Sequence, residues 1–237
     1  MKRAEKAIIK KDIRGITSNR RLFSALWIVP LALTVILPSI FVCAAHFAPD
    51  DPDVLALLEL LPGAANTESV ELAIAGIIFN YILPAFFLMI PIMTASVMAA
   101  SAFVGEKEKH TLETLLYCPL SVKEIFRAKV LASFLLSMLV SLVSFAAMLT
   151  VLELEAVFLM GSPLLPGGGW GIVLFLLSPA VSLIAVTLIV RNSARAQSVE
   201  ESQQSAVFLI IPVILLVVGQ FAGVMILNVW ILLGLSI

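Results

Sequence analysis

Long apolar runs without Lys, Arg, Asp or Glu alternate with short charged segments along this chain. Five runs exceed the roughly 20 residues that a helix needs to cross about 30 Å of hydrocarbon. They are Leu22–Pro49, Leu72–Gly105, Val130–Leu152, Ala156–Val190 and Ser202–Ile237. Such runs do not fit the alternating segments of about ten residues that form membrane barrels. The predicted fold class is therefore all-α, a polytopic transmembrane helical bundle.

The apolar runs place five membrane helices, near Leu26–His46, Ile74–Ser101, Val130–Val151, Gly171–Val190 and Ala206–Leu227. The last run is too long for one helix and too short for two. Asn228 marks the outer end of the fifth helix, and Val229–Ile237 has the composition of the start of another. We expect five spans within the chain and favour a sixth after residue 237; the alternative is a chain that ends outside after five spans. One membrane domain then covers residues 1–237, with 1–21 before the membrane and 22–237 within it.

The positions of the basic residues predict the orientation. All 15 Lys and Arg lie in three places: Lys2–Arg21, Lys107–Lys129, and the pair Arg191 and Arg195. Basic segments remain in the cytoplasm under the positive-inside rule. We therefore predict a multi-pass protein of the cell membrane with its N-terminus in the cytoplasm. Only 13% of the residues are charged, against about a quarter in soluble domains, which agrees with a membrane location.

The N-terminal segment is too polar to span a bilayer but has helical periodicity. Ile8, Ile9, Ile13 and Ile16 recur at helical spacing among lysines. This pattern predicts an amphipathic helix at the cytoplasmic interface, with its apolar side in lipid and its cations toward anionic headgroups. Gly15 and the polar residues after it should end the helix. The alternative is a disordered basic tail; a cleaved signal peptide is rejected because residues 1–21 exceed a normal charged leader region.

The segment between the second and third spans predicts two helical pieces. Glu106–Tyr117 has leucines on one side and charges on the others, as expected of a helix lying flat beneath the bilayer. Pro119 ends this piece. Ser121 and Glu124 then form a capping box, in which each side chain reaches the other's backbone. The helix that begins there continues through Lys129 into the third span.

This segment resembles the motif of the ABC type 2 exporter permeases, Glu-x-Glu-x-x-Thr-Leu-Glu-x-Leu-Leu-x-x-Pro-Leu-Ser followed by a basic residue. The matching residues are Glu106, Glu108, Thr111, Leu112, Glu113, Leu115, Leu116, Pro119, Leu120, Ser121 and Lys129. Ala128 stands where that family commonly has Gly. The order of spans extends the resemblance over the whole chain, and six spans are usual in the family.

The resemblance implies a permease subunit of an ATP-driven exporter that works by alternating access. Residues Glu106–Leu116 would be the coupling helix that docks on a separate P-loop ATPase, and the N-terminal helix would rest on that subunit. A second permease subunit, identical or different, would complete the transporter. ATP and Mg would bind in the partner ATPase, with no cofactor or metal in this chain. We expect no nucleic acid partner.

The residues themselves favour a non-catalytic role. No Gly-Lys dipeptide follows the glycine run at Gly167–Gly169, so a Walker A loop is excluded. The predicted spans lack charged residues, which disfavours an intramembrane enzyme. A membrane anchor that recruits a partner without transport remains the alternative. Candidate residues for a substrate path are the polar groups within the spans, for which hydrogen bonding between helices is the alternative: Asn80, Tyr81, Thr94, Ser96 and Gln220.

Overall fold

The computed structural model of the chain describes residues 3–47, 70–111, 117, 120–204 and 206–221. Within these ranges the chain forms helices and turns and no strand, which confirms the predicted fold class. The α-helices are α1 (Arg3–Ser18), α2 (Arg20–Leu31), α3 (Leu37–Phe47), α4 (Val70–Ile77), α5 (Leu83–Phe87), α6 (Met89–Glu108), α7 (Val122–Met160), α8 (Gly169–Ile172), α9 (Ser178–Ser193), α10 (Val199–Gln204) and α11 (Val207–Phe221). The π-helical segments are π1 (Ala32–Ile36), π2 (Ile78–Ile82) and π3 (Val173–Leu177).

Four helical stretches in the described residues are long and apolar enough to cross a membrane. They are span 1 (Leu22–Ala44), span 2 (Glu71–Glu108), span 3 (Val122–Met160) and span 4 (Gly169–Ser193). These candidates overlap the first four predicted spans, and spans 2 and 3 extend furthest beyond the predicted bounds. The predicted bounds stay within the charge-free runs, whereas these two helices continue into the charged residues that flank the runs. For the predicted fifth span the structure describes α11, and residues 222–237 lie outside the described residues.

Each π-helical segment is explained by a proline that follows it. The prolines are Pro38, Pro84 and Pro179, each two residues after the end of π1, π2 or π3. A proline has no N–H for the carbonyl four residues earlier, and its ring clashes with that carbonyl. The affected residues, Thr34, Asn80 and Phe175, are the centres of the three π segments. A local π turn accommodates the proline without ending the helix, as membrane helices require.

The chain divides into two compact units that separate its charges. The basic unit comprises Met1–Val29, Met89–Ser141 and Ser178–Pro212, and the acidic unit comprises Pro30–Leu88, Leu142–Leu177 and Val213–Ile237. Every Lys and Arg of the sequence belongs to the basic unit, whereas eight acidic residues and no Lys or Arg belong to the acidic unit. The three basic segments therefore fold together, as an alternating membrane topology requires.

Small side chains allow close helix packing in the basic unit. Ser133, Ser137 and Ser141 recur every fourth residue on α7 and are buried. Ser137 Oγ lies 2.6 Å from Ser182 Oγ of α9. Small and hydroxyl-bearing residues at such spacing let membrane helices approach closely and bond across the contact.

An aromatic cluster forms the core of the acidic unit. Trp170 is buried against the rings of Phe79, Phe87 and Phe145, with ring centroids 5.0–5.6 Å apart. Its indole nitrogen donates a hydrogen bond to Phe79 O at 3.2 Å. A buried indole N–H needs such an acceptor. The start of span 4 is thereby fixed to span 2.

Candidate functional site

Helix α1 carries a carboxylate in the middle of its buried face. Ile8 and Ile16 are buried, and Asp12 lies four residues from each, so all three share one side of the helix. Asp12 is only 9% exposed. The apolar side of α1 therefore packs against the protein, and the prediction that it faces lipid is wrong. The helix continues through Gly15 and ends at Ser18, among the polar residues that were predicted to end it.

The ammonium group of Lys129, near the start of span 3, joins α1, α6 and α7. Lys129 Nζ lies 2.9 Å from Glu106 Oε2 and 3.8 Å from Asp12 Oδ2. It also donates a hydrogen bond to Ala102 O of α6. Lys129 is 2% exposed, and lysine is almost never buried to this extent unless it is paired. Lys129 is thus the common partner of two carboxylates from separate segments.

Lys11 supplies a fourth charged group. We define the buried charge cluster as Lys11, Asp12, Glu106 and Lys129. Lys11 Nζ binds Glu106 Oε1 at 2.5 Å, although the Lys11 side chain is 55% exposed. Two cations and two carboxylates leave no net charge in the cluster. Desolvation opposes burying such groups, and removing one partner leaves a buried charge uncompensated. The cluster therefore constrains how α1, α6 and α7 pack.

Asp12 is the least well satisfied member of the cluster. Its Oδ2 atom has no hydrogen-bond partner among the described residues. The pKa of Asp12 is raised from 3.8 to about 6, chiefly by burial; the nearby Lys129 and Lys11 lower it and Glu106 raises it. Desolvation favours the neutral form of a carboxyl group. The Asp12 carboxyl group accordingly changes protonation near pH 6.

A cavity of about 230 Å³ adjoins the cluster within the basic unit. It lies between α1 and α6. Its lining residues are Lys11, Asp12, Gly15, Ile16, Met98, Ser101, Ala102, Gly105, Glu106, Lys109 and Thr111. The cavity has charged lining groups beside apolar ones and is large enough to hold water beside Asp12. Asp12 therefore has space for a solvent partner.

The predicted coupling helix does not begin at Glu106. Residues Glu106–Glu108 are the last of α6, and Lys109 and His110 form a turn. His110 has a φ of 54°, the left-handed conformation with which helices commonly end. Thr111 N then bonds back to Glu106 O at 2.9 Å. The motif residues Leu112, Glu113, Leu115, Leu116 and Pro119 lie outside the described residues.

The predicted capping box at the start of α7 is confirmed. Glu124 Oε2 accepts hydrogen bonds from Ser121 N and Ser121 Oγ, both at 2.9 Å. Glu124 N donates to Ser121 Oγ at 3.3 Å. These reciprocal bonds satisfy backbone groups at the helix end. Helix α7 begins at Val122 and places Lys129 two turns into the helix.

The end of span 2 also holds the segment between spans 4 and 5. Lys107 Nζ donates hydrogen bonds to Ala196 O at 3.0 Å and Ala194 O at 3.4 Å. Glu108 Oε2 accepts one from Val199 N at 3.3 Å. The two predicted coupling glutamates at the end of α6 therefore differ in burial and in their partners. Glu106 is buried within the chain, whereas Glu108 is exposed and binds the start of α10.

The candidate residues for a substrate path have partners inside the protein where these are described. Thr94 and Ser96 are buried and donate hydrogen bonds to the carbonyls of Ile90 and Ile92. Asn80 accepts a hydrogen bond from Gly167 N at 2.6 Å and donates one to Gly76 O at 3.0 Å. Tyr81 also has an interaction partner, and the side chain of Gln220 lies outside the described residues. A substrate path through these residues stays a prediction.

Sequence reasoning missed Asp12 and Lys11. Lys11 was one of several helical cations, and nothing local marked it for pairing with Glu106, 95 positions away. Asp12 did carry a usable signal, because an acid on the apolar stripe of an amphipathic helix requires a buried partner.

Comparison with known families decides the class of this protein. A family model described as ABC-2 family transporter protein matches residues 65–234. The chain belongs to this family. It is the membrane permease of an ABC transporter, which implies association with an ABC ATPase. The search of curated proteins and the search of solved structures found no match.

The residues matched by the ABC-2 family model include only two of the four members of the buried charge cluster. Glu106 and Lys129 lie within the matched residues, whereas Lys11 and Asp12 precede them. The cluster thus connects α1, which the family model does not cover, to the two helices that flank the motif. This connection is a feature of the tertiary structure alone.

Replacing Lys129 by Met should strongly destabilise the protein. Two buried carboxylates would lose their shared ammonium, and breaking a buried pair costs about 3–5 kcal/mol. Thermal unfolding in detergent measures the effect. The control Lys10→Met removes an exposed lysine of α1 and should change stability by about 0.5 kcal/mol or less. A triple variant with Asp12→Asn and Glu106→Gln should recover part of the loss; equal effects of the two single variants would contradict the cluster.

The protein should lose stability relative to an Asp12→Asn variant as pH rises from about 4 to 7. The pKa of Asp12 is raised in the folded chain to about 6, so folding favours the protonated form. That contribution is complete below about pH 4 and is lost as pH rises through about 6. The stability difference should change by roughly 1–3 kcal/mol and level off above pH 7. A difference that stays constant across this range in paired unfolding curves would contradict the assignment.

Proposed function

We propose that this chain is the membrane-spanning subunit of an ATP-driven ABC exporter, with its N-terminus in the cytoplasm of the cell. A separate P-loop ATPase binds ATP and Mg and supplies the energy. A second permease subunit completes the transporter, and substrate moves by alternating access. The family membership supports the class, and the buried charge cluster supports the way in which force is transmitted.

The cluster fixes both ends of the segment that carries the family motif. Glu106 lies just before residues 107–121, and Lys129 lies shortly after them; their side chains are 2.9 Å apart. A partner that moves this segment would therefore move the ends of spans 2 and 3 as a pair. Glu106 and Lys129 act in this proposal as internal transmission residues, since both are buried.

Helix α1 follows the same movement through Asp12 and Lys11. Both residues reach the cluster from α1, and the apolar face of that helix packs on the protein. Its exposed side carries Lys6, Lys10 and Arg14, which are available to an acidic partner surface. An ATPase that contacts α1 and the motif segment together would then act on one connected body.

The contact with the ATPase itself is assigned to the motif residues after the turn at His110, together with Glu108 before it. Glu113 and the exposed Glu108 supply the charges of this docking face. Leu112, Leu115 and Leu116 hold it to the membrane domain, with Thr111, Pro119 and Ser121 setting its ends. A charge pair that loses its water on docking contributes far more binding free energy than a pair that stays exposed.

The proposed orientation makes a labelling prediction. In a variant whose native cysteines are replaced by Ser, Gly168→Cys should react with an impermeant thiol reagent applied outside intact cells. Lys107→Cys should react only after the membrane is permeabilised. This result follows from the positive-inside rule, because Lys107 belongs to the basic unit and Gly168 to the acidic unit. Labelling of Lys107→Cys in intact cells would reverse the topology.

A charge reversal at Glu113 should uncouple the ATPase. Glu113→Lys places a cation in the proposed docking face, where losing a buried charge pair costs roughly 2–5 kcal/mol. We expect little ATPase bound to the purified permease and little stimulated ATP hydrolysis in reconstituted liposomes. Glu200→Lys is the matched control, since Glu200 is an exposed acid of α10 on the same proposed side.

Three outcomes separate the proposal from its alternatives. Loss of hydrolysis and binding in Glu113→Lys, with normal behaviour of Glu200→Lys, supports docking by the motif. Normal binding and hydrolysis in both variants contradicts it. A wild-type complex that binds the ATPase but shows no transport-linked hydrolysis indicates a non-transporting anchor instead.

A further inference from the structure

An apolar groove with one cationic wall lies on the surface of the basic unit. It has a volume of about 320 Å³ and is lined by Phe126, Arg127, Val130, Leu131 and Phe134 of α7 and by Leu183 of α9. Phe126 and Leu183 are 44% and 45% exposed, so the groove is open to the surroundings of the protein. Arg127 is its single charged lining residue among those described.

The groove continues a helix face that changes from cationic to apolar. Lys123 and Arg127 are four residues apart, and Leu131 follows at the same spacing, so all three share one face of α7. Lys123 and Arg127 are both exposed and form no ion pair with another described residue. The nearby acid Glu124 is engaged by Ser121 in the capping box. Two cations that have no ion-pair partner among the described residues therefore lie beside an apolar groove.

The change from cationic to apolar residues along this face of α7 matches the polarity of an anionic phospholipid. The cations lie at the start of a membrane span, where the lipid headgroups are, and the apolar part of the groove extends toward the hydrocarbon. The guanidinium group of arginine binds phosphate in a bidentate manner. Basic sites beside membrane helices are suited to anionic headgroups. The apolar wall excludes water from an acyl chain.

A second copy of the chain fits this face less well. In a symmetric dimer the same patch contacts itself, so the Lys123 and Arg127 cations of both copies would meet at the same depth. Like charges so placed repel. An amphiphile with a negative headgroup neutralises them instead.

We propose that this groove binds one anionic phospholipid, with its phosphate on Arg127 and Lys123 and an acyl chain along Val130, Leu131 and Phe134. The lipid would occupy the start of span 3, at the level of Lys129 of the charge cluster along the helix. The lipid site depends on the membrane location of the chain and not on ATP coupling. A negative result for the lipid site would therefore leave the proposed function unaffected.

The test is lipid binding to the purified full chain in detergent, followed by native mass spectrometry. Phosphatidylglycerol is titrated against phosphatidylcholine as the neutral lipid. Wild type should prefer phosphatidylglycerol. Arg127→Gln should weaken phosphatidylglycerol binding about fivefold, and adding Lys123→Gln should weaken it about fivefold again.

Two further variants control for charge and for the groove. Arg195→Gln removes one exposed cation of the same unit away from the groove and should bind phosphatidylglycerol like wild type. Val130→Trp fills the groove with both cations intact and should reduce binding. Unfolding temperature in lipid-free detergent identifies variants that fold normally, and the Gln variants suffice if Val130→Trp does not fold.

The proposal is overturned by any of three results. Equal weakening in Arg127→Gln and Arg195→Gln would show general electrostatic attraction without a site. Displacement of the lipid by inorganic phosphate at similar concentration would show a simple anion site. Efficient disulfide formation between two Phe134→Cys chains in bilayers, in a variant whose native cysteines are replaced by Ser, would show that a second copy covers the groove.

Discussion

The burial of one ammonium group constrains the basic unit of this permease. Lys129 is almost fully enclosed and can be charged there only if acceptors surround it. Those acceptors come from α1 and from the end of span 2, so the three segments must fold together around it. The apolar stripe of α1, the turn after Glu108 and the capping box before Lys129 all serve this geometry. Moving any of them would leave a charge without a partner.

Three prolines affect the continuity of the membrane helices, and one glycine affects a contact between segments. A lost backbone hydrogen bond in hydrocarbon is costly. Each π segment is centred on the residue whose carbonyl receives no hydrogen bond from the proline four positions later. Near Asn80 this adjustment coincides with a tertiary contact. Its carboxamide binds Gly167 N, and a β-carbon at Gly167 would come within 2.9 Å of Asn80 Oδ1. The glycine at this position therefore permits the turn before α8 to approach span 2.

The two units differ in their charged groups. The basic unit contains the buried cluster, the motif segment and the proposed lipid groove. The acidic unit has an aromatic core and no Lys or Arg. In our proposal, the contacts with the ATPase and with anionic lipid therefore both belong to the basic unit.

The sequence by itself determined the all-helical class, four apolar helices long enough to cross a membrane and the start of α7. These follow from local physics: long apolar runs must be helical in lipid, and Ser121 and Glu124 lie close enough in sequence to cap each other. Pairing of Lys11, Asp12, Glu106 and Lys129 was decided only by the tertiary structure. Those residues are distant in sequence, so no local pattern fixes which carboxylate meets which cation. The end of span 2 was misplaced for the same reason, because Glu106 is tolerated inside the protein only through partners that other helices provide.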